Sequence, residues 1–214
     1  MLWNMAFNAE NQVPMYNDQV VIVLVKLLRT KSISMAFKEY AAGAICNLAT
    51  AELNKPLMVQ DGAATVLFPL LSSGSKRFTE LACAALCNLS SCFENQISMY
   101  NAGVLRYVLP VLTMGSPLYR EYCASLICNL SIQDVHHIPM MHDDGVVEAL
   151  LPLLADGTIA KMAIYCLFLL FNDFYIGTVQ FREHTAGIIW NLSLAEQNKN
   201  KLVSIGVINK LIPR

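Results

Sequence analysis

The stretch Tyr40-Ala41-Ala42-Gly43-Ala44-Ile45-Cys46-Asn47-Leu48 decides how this chain is read, because it returns twice. Its copies are Leu81-Ala82-Cys83-Ala84-Ala85-Leu86-Cys87-Asn88-Leu89 and Tyr122-Cys123-Ala124-Ser125-Leu126-Ile127-Cys128-Asn129-Leu130, and the asparagines stand 41 residues apart in both steps. Self-similarity at a fixed period of this size marks a stack of repeated helical units, each of which needs its neighbours to bury its apolar faces. Working outward, each asparagine is followed 15 or 16 residues later by a glycine: Gly62, Gly103 and Gly145. An apolar helix follows each glycine and ends on Pro69-Leu70-Leu71, Pro110-Val111-Leu112 or Pro152-Leu153-Leu154.

The unit therefore reads as three helices. A short first helix covers about 53–60, a second runs from Gly62 to about Ser72, and a longer third covers about 76–91. The glycine suits a sharp turn between the first two, where positive φ is needed. Ala41, Ala42, Gly43 and Ala44 allow the third helix to approach its neighbours closely. No period-two alternation competes with the helical pattern.

Composition agrees. Apolar residues are 55% of the 214 and charged residues 14%, an oily balance that stacking explains, since inner repeats are covered on both broad faces. A membrane span needs about 20 apolar residues; the longest clean run, Met162 to Phe171, has ten and is closed by Asn172 and Asp173. The N-terminus lacks the basic-then-apolar pattern of a secretory signal. Seven cysteines, most of them in apolar helical pattern, suit free thiols in a reducing compartment. The net charge of -1 offers no basic surplus for nucleic acid.

A glycine-led helix, a double-leucine ending and a following Ala-x-x-Ala-Leu-x-Asn-Leu resemble the armadillo repeat of the catenins and importins over nearly the whole chain. The resemblance implies an all-α, right-handed superhelical solenoid of three-helix armadillo repeats. It also implies a scaffold or adaptor that binds an extended protein segment in its concave groove, and not an enzyme. No cofactor or metal is expected, and the compartment expected is the cytoplasm, with the nucleus as a second possibility. The alternatives are an importin-like transport receptor and a structural fragment that self-associates through open ends.

At the edges, Trp3-Asn4-Met5 aligns with Trp190-Asn191-Leu192, and Ala9-Glu10-Asn11 with Ala195-Glu196-Gln197. The chain thus begins at the tail of a third helix and ends inside a second, as a piece of a longer armadillo protein would. Trp3, Met5 and Phe7 at one end, and Val207, Ile208 and Leu211 at the other, should then be exposed. One unit also looks damaged. A third helix ending at Asn172 is in phase with Asn129, yet the next Asn-Leu, at Asn191, comes only 19 residues later. Residues 1–172 are accordingly read as armadillo repeats and 173–214 as degenerate, truncated units. A break is expected after Asn172, with irregular packing from Asn191 onward.

In the family, third helices line the groove, and an asparagine in this place bonds the backbone of a bound peptide. The ladder here is Asn4, Asn47, Asn88, Asn129, Asn172 and Asn191. A side-chain amide offers two donors and an acceptor, enough for a peptide N–H and C=O whatever the ligand's side chains. Helices packed 8–10 Å apart match about three residues of extended chain per step. The competing reading is that the amide braces its own repeat. Asn47, Asn88 and Asn129 should face one continuous concave surface. Eight residues earlier stand Glu39, Glu80, Glu121 and Glu183, about 80° round the helix. They form either an acidic groove edge or first-turn carboxylates favoured by the helix dipole; adjacent Lys38, Arg120 and Arg182 favour the second.

Importin-type grooves place tryptophan four residues before the asparagine. Here that place holds Gly43, Ala84, Ser125, Phe168 and Gly187, so a wide, smooth floor is expected. The sequons at Asn88, Asn129 and Asn191 coincide with the repeat signature and are read as accidental. His136, His137 and His142, beside Met140 and Met141, are read as helix surface in preference to a metal site.

Overall fold

A computed structural model describes residues 1–155 and 179–207. The described residues are helical throughout, with no strand among them. No helix among them is long and apolar enough to cross a membrane. The backbone divides into two compact units, Met1–Tyr107 and Val108–Arg214.

In the first unit the order is α1 (Leu2–Phe7), α2 (Ala9–Asn17), α3 (Val20–Arg29), α4 (Met35–Leu48), α5 (Lys55–Gln60), α6 (Ala63–Leu67), α7 (Lys76–Ser90) and α8 (Phe93–Asn101). A helix α9 (Leu105–Met114) crosses the division. Third helices stack on third helices: α4 packs between α1 and α7. First helices do the same, with α8 on α5, and second helices likewise, with α6 on α3. Within this unit like thus covers like.

Local chemistry sets the helix ends. Asn8, Ser75 and Ser116 each accept, on a side-chain oxygen, a backbone N–H from the first turn of the helix they precede. The second helix of one repeat is α-helical only to Leu67 and then tightens into a 3-10 turn over Phe68–Ser72. Pro69 has no N–H to give to the carbonyl four residues back, so the α-helical bond is missing there. The turn glycines adopt positive φ as expected, at 86° for Gly62, 79° for Gly103 and 72° for Gly145. Gly206, at 74°, holds the same place after Asn191. In the first repeat the place falls to Gln19, whose φ of 61° is the only positive value of a non-glycine among the described residues.

The core consists of stacked helix faces. Val21, Leu24, Val25 and Leu28 of α3, Ala41, Ala42, Ala44, Ile45 and Leu48 of α4, and Phe78, Leu86 and Leu89 of α7 are buried. Each fully buried large side chain contributes about 1.5–3 kcal/mol over an exposed one.

The second unit contains α10 (Pro117–Leu130), α11 (His137–His142), α12 (Val146–Ala155), α13 (Val179–Ser193) and α14 (Glu196–Ser204). α13 packs directly against α10, as α4 does on α1, and α14 packs on α11. The irregular packing expected from Asn191 is not found up to Val207. The fit of α13 on α10 is close: its Gly187 lets it approach so near that a Cβ there would lie 2.8 Å from the Cys128 sulfur. Asn172, the boundary at 172 and the position Phe168 lie outside the described residues.

At the edges, Phe7 is 81% and Met5 42% exposed, as expected. Trp3 is only half-exposed, and Val207 is buried against expectation, because α14 and the turn at Gly206 continue the repeat. Ile208 and Leu211 lie outside the described residues.

Candidate functional site

In the first unit, α4 and α7 carry Asn47 and Asn88 at matching positions, both half-buried, while Asn4 on α1 is exposed. Asn47 Nδ2 donates to the backbone oxygen of Trp3 at 3.3 Å, a brace between consecutive third helices. That bond uses one of its two N–H groups and leaves the acceptor oxygen. Asn88, one step along, makes no side-chain hydrogen bond among the described residues and stands ready with its full set of donors and acceptor.

The floor beside them is not smooth. Gly43 accommodates the Trp3 indole, against which a Cβ at that position would fall 2.6 Å from the ring. Tyr40 flanks the indole with ring centroids 5.9 Å apart and an interplanar angle of 54°. The Arg77 guanidinium lies 5.1 Å above the Trp3 ring and is ion-paired with Glu39. Tryptophan thus reaches the groove face from the preceding helix, one residue before Asn4, where a search four residues before each asparagine does not find it. Glu39 meets Arg77 of the next third helix, and Glu80 is exposed.

In the second unit, Asn129 on α10 and Asn191 on α13 are half-buried. Asn191 Nδ2 donates to the Ser131 hydroxyl at 2.9 Å, so this amide also braces the preceding repeat. Glu121 of α10 and Glu183 of α13 lie near His184. Burial pushes the His184 imidazole below its ordinary value, and the two carboxylates partly offset that. Burial pushes the Cys46 and Cys128 thiols, one residue before two of the ladder asparagines, up to about 11. They remain thiols at neutral pH and are poor nucleophiles.

No protein-family model matches the chain, and no curated protein matches it. Solved structures do. A designed armadillo repeat protein superposes with a TM-score of 0.71 at 20% identity, over 89% of this chain and 72% of that one. Another, in complex with the peptide (KR)4, gives 0.70 at 19%, over 98% and 80%. An engineered protein gives 0.71 at 22%, over 90% of this chain, which spans only 42% of that protein's length. The fold is an armadillo-type α-solenoid.

The armadillo units carry a second, buried ladder that the repeat signature did not point to. Seven residues after Asn4, Asn47, Asn88, Asn129 and Asn191, a polar side chain turns back to the carbonyl at the end of the third helix. Asn54 donates to Leu48 O at 3.1 Å and to Gln12 O at 3.0 Å. Asn95 donates to Leu89 O and Lys55 O, both at 2.9 Å. Asn198 donates to Leu192 O at 2.8 Å and to His137 O at 2.9 Å. Asn11 reaches Met5 O at 3.0 Å, so its counterpart is Asn198, one residue on from the Gln197 of the sequence alignment. In the unit that departs from asparagine, His136 Nδ1 meets Leu130 O at 2.7 Å. The last carbonyls of a helix have no partner within it, and burial makes an unpaired one costly. The ladder satisfies them and, through its second bond, ties one repeat to the next.

His136 and His137 are therefore buried, at 2% and 3% exposure, and bonded to carbonyls; the surface reading of these two is corrected. The signal was present in the sequence as Asn54, Asn95 and Asn198 at a constant offset, but a lone asparagine after a helix reads equally well as a turn residue.

Proposed function

We propose that this armadillo solenoid is a protein-interaction scaffold that holds an extended segment of another protein along its third helices. Asn47 and Asn88 grip the backbone of the segment in the first unit, and Asn129 and Asn191 do so in the second. The observation that carries the reading is Asn88, half-buried beside Asn47 with its amide unspent. A half-buried amide gains most from a partner that offers both an acceptor and a donor, as an extended backbone does. A designed armadillo neighbour in complex with the peptide (KR)4 supports peptide holding by this fold. Asn47 and Asn191 combine bracing with gripping, since each brace uses a single N–H. Glu39, Glu80 and Glu121 form the edge that selects side chains.

The test is selection of bead-bound random decapeptides by the full chain, compared with the Asn47→Ala/Asn88→Ala double variant. Peptides retained by the wild type and lost by the variant, with unchanged circular dichroism, are expected. Equal retention by both proteins overturns the grip.

Self-association is a second reading, favoured by the bare Phe7 and Met5 side chains on α1. Light scattering of wild type and Phe7→Ser decides it. A wild-type mass that stays monomeric across concentration removes this reading.

A further inference from the structure

The first helices of the first unit bear apolar side chains that neither the core nor the groove uses. Leu53, in the 3-10 turn Glu52–Asn54 that leads into α5, is 71% exposed, and Leu57 of α5 is 40% exposed. On α8, Phe93 is 60% and Ile97 43% exposed. Each pair is spaced by four residues and so lies along one side of its helix. The two helices pack on each other, and Lys55 ties their starts together. Its ammonium donates to the Ser91 hydroxyl at 2.7 Å, and its carbonyl accepts from Asn95 at 2.9 Å. The four side chains thus stand in the solvent-facing layer of one tied pair of helices. Repetition does not require them. In α14, a first helix of the second unit, the positions counted from the buried asparagine hold polar residues. Gln197 and Lys201 match the α5 pair, and Glu196 and Asn200 match the α8 pair. A single exposed apolar residue needs no explanation, but a group on adjoining helices marks a binding surface.

The charge around the group has one sign. Over α2, α5 with its leading turn, and α8, the carboxylates Glu10, Glu52 and Glu94 are exposed. The one basic residue in these segments is Lys55, which is buried and ion-paired with Glu52. Glu94 meets a neutral group, the Cys92 thiol at 2.9 Å, which leaves its charge uncancelled.

We infer that Leu53, Leu57, Phe93 and Ile97 form a docking surface for an amphipathic helix of a partner protein, one with an apolar stripe and lysine or arginine at its margins. A helix suits this surface because side chains four apart on adjoining helices make ridges between which the ridge of another helix settles. An extended strand would need free backbone N–H and C=O groups, and helices use theirs internally. The basic margins follow from the carboxylates, which attract such a helix and repel an acidic one. A second copy meeting through the same face would bring the same three carboxylates opposite these. The surface belongs to the first helices and the asparagine ladder to the third, so a docked helix does not compete with a segment held by Asn47 and Asn88.

The test uses the full chain and three synthetic peptides of about 18 residues, five helical turns. The first has leucine along one stripe and lysine elsewhere. The second has glutamate in place of lysine, and the third is a scramble of the first with no stripe. Fluorescence anisotropy is expected to show the first bound at least about tenfold tighter than either other. Leu53→Ser/Phe93→Ser should weaken it at least about tenfold, the loss of two anchoring side chains. Leu57→Ser/Ile97→Ser should act in the same direction, so that the result does not hang on the folding of one variant. Glu10→Gln/Glu94→Gln should weaken binding about threefold in low salt and have little effect at about 0.5 M, where exposed charges are screened. Asn47→Ala/Asn88→Ala should leave binding unchanged. Unchanged affinity in both apolar double variants overturns the surface, as does equal binding of the glutamate or scrambled peptide, or no binding of any. A loss on Asn47→Ala/Asn88→Ala puts the peptide in the groove and overturns it too. A mass that rises with concentration in light scattering, and that Leu53→Ser/Phe93→Ser returns to the monomer, makes a second copy the occupant and overturns the partner helix.

Discussion

At the scale of single residues, two positions show what repetition asks of one side chain. The turn after the first helix needs the left-handed conformation, and four repeats meet it with glycine while the first uses Gln19 at φ 61°. A side chain with a Cβ bears a cost there of about 1 kcal/mol or more. Gln19→Gly is expected to stabilise the protein by about 1 kcal/mol, read as a raised urea midpoint with an unchanged slope. A loss of stability would show that the Gln19 side chain contributes more than the backbone strain costs. Asn95 is the converse case, a buried amide holding two carbonyls from two helices. Asn95→Ala should cost about 1–3 kcal/mol, because buried carbonyls lose their donors. The groove asparagine Asn88, which holds no such bond, should tolerate alanine with little change. If denaturation ranked Asn88→Ala above Asn95→Ala, the structural and ligand-facing roles of the two ladders would have to be exchanged. The glycines were legible in the sequence because their spacing recurs. Gln19 was not, since nothing in glutamine signals positive φ, and the buried ladder was not, since its partners lie about forty residues away.

At the scale of helices, the decisive fact is the contact of α13 with α10. The segments ending at Asn172 and at Asn191 both carry the pattern of a third helix, and the one ending at Asn191 packs closely on α10, through the missing Cβ of Gly187 against the Cys128 sulfur. Gly187→Ala should force the helices apart, with a cost of about 1–3 kcal/mol for overpacking. Adding Cys128→Ala should recover part of it, because neighbouring changes are not additive. Additive costs in thermal unfolding would mean that the two residues do not touch. Hydrogen exchange offers a second check. Amides of α13 should be protected to the same degree as those of α10, whereas a helix packed beside a void would exchange faster.

At the scale of the whole molecule, all four histidines fall in the second unit, at 136, 137, 142 and 184, and none in the first. Burial pushes His136 and His184 below the ordinary value of 6.5. For His136 the Leu130 carbonyl, and for His184 the two glutamates, oppose that without reversing it. The unfolded chain therefore binds protons more readily at these sites than the folded one. Stability from the neutral imidazoles is complete above about pH 6.5 and is lost as pH falls through the lower folded values. Unfolding of the second unit, followed by exchange of α13 and α14 amides, should become easier between pH 7 and 5. The first unit should change little in that range. A His136→Asn variant, which restores the residue used by the other repeats, should flatten the dependence. A profile that instead steepens, or that affects both units alike, would assign the acid sensitivity to carboxylates.

The sequence by itself determined the all-α solenoid, the three-helix unit, the turn glycines and the spacing of the third-helix asparagines. Each of these follows from short-range chemistry repeated at a constant period: apolar spacing and the tolerance of glycine for positive φ. Tertiary structure alone decided that α13 lies against α10, that Asn47 and Asn191 brace their neighbours, and that Trp3 covers Gly43 beneath Arg77. Those outcomes depend on the distance between atoms far apart in the chain. A period cannot record whether a Cβ fits beside a sulfur, or whether an indole and a guanidinium from different helices meet.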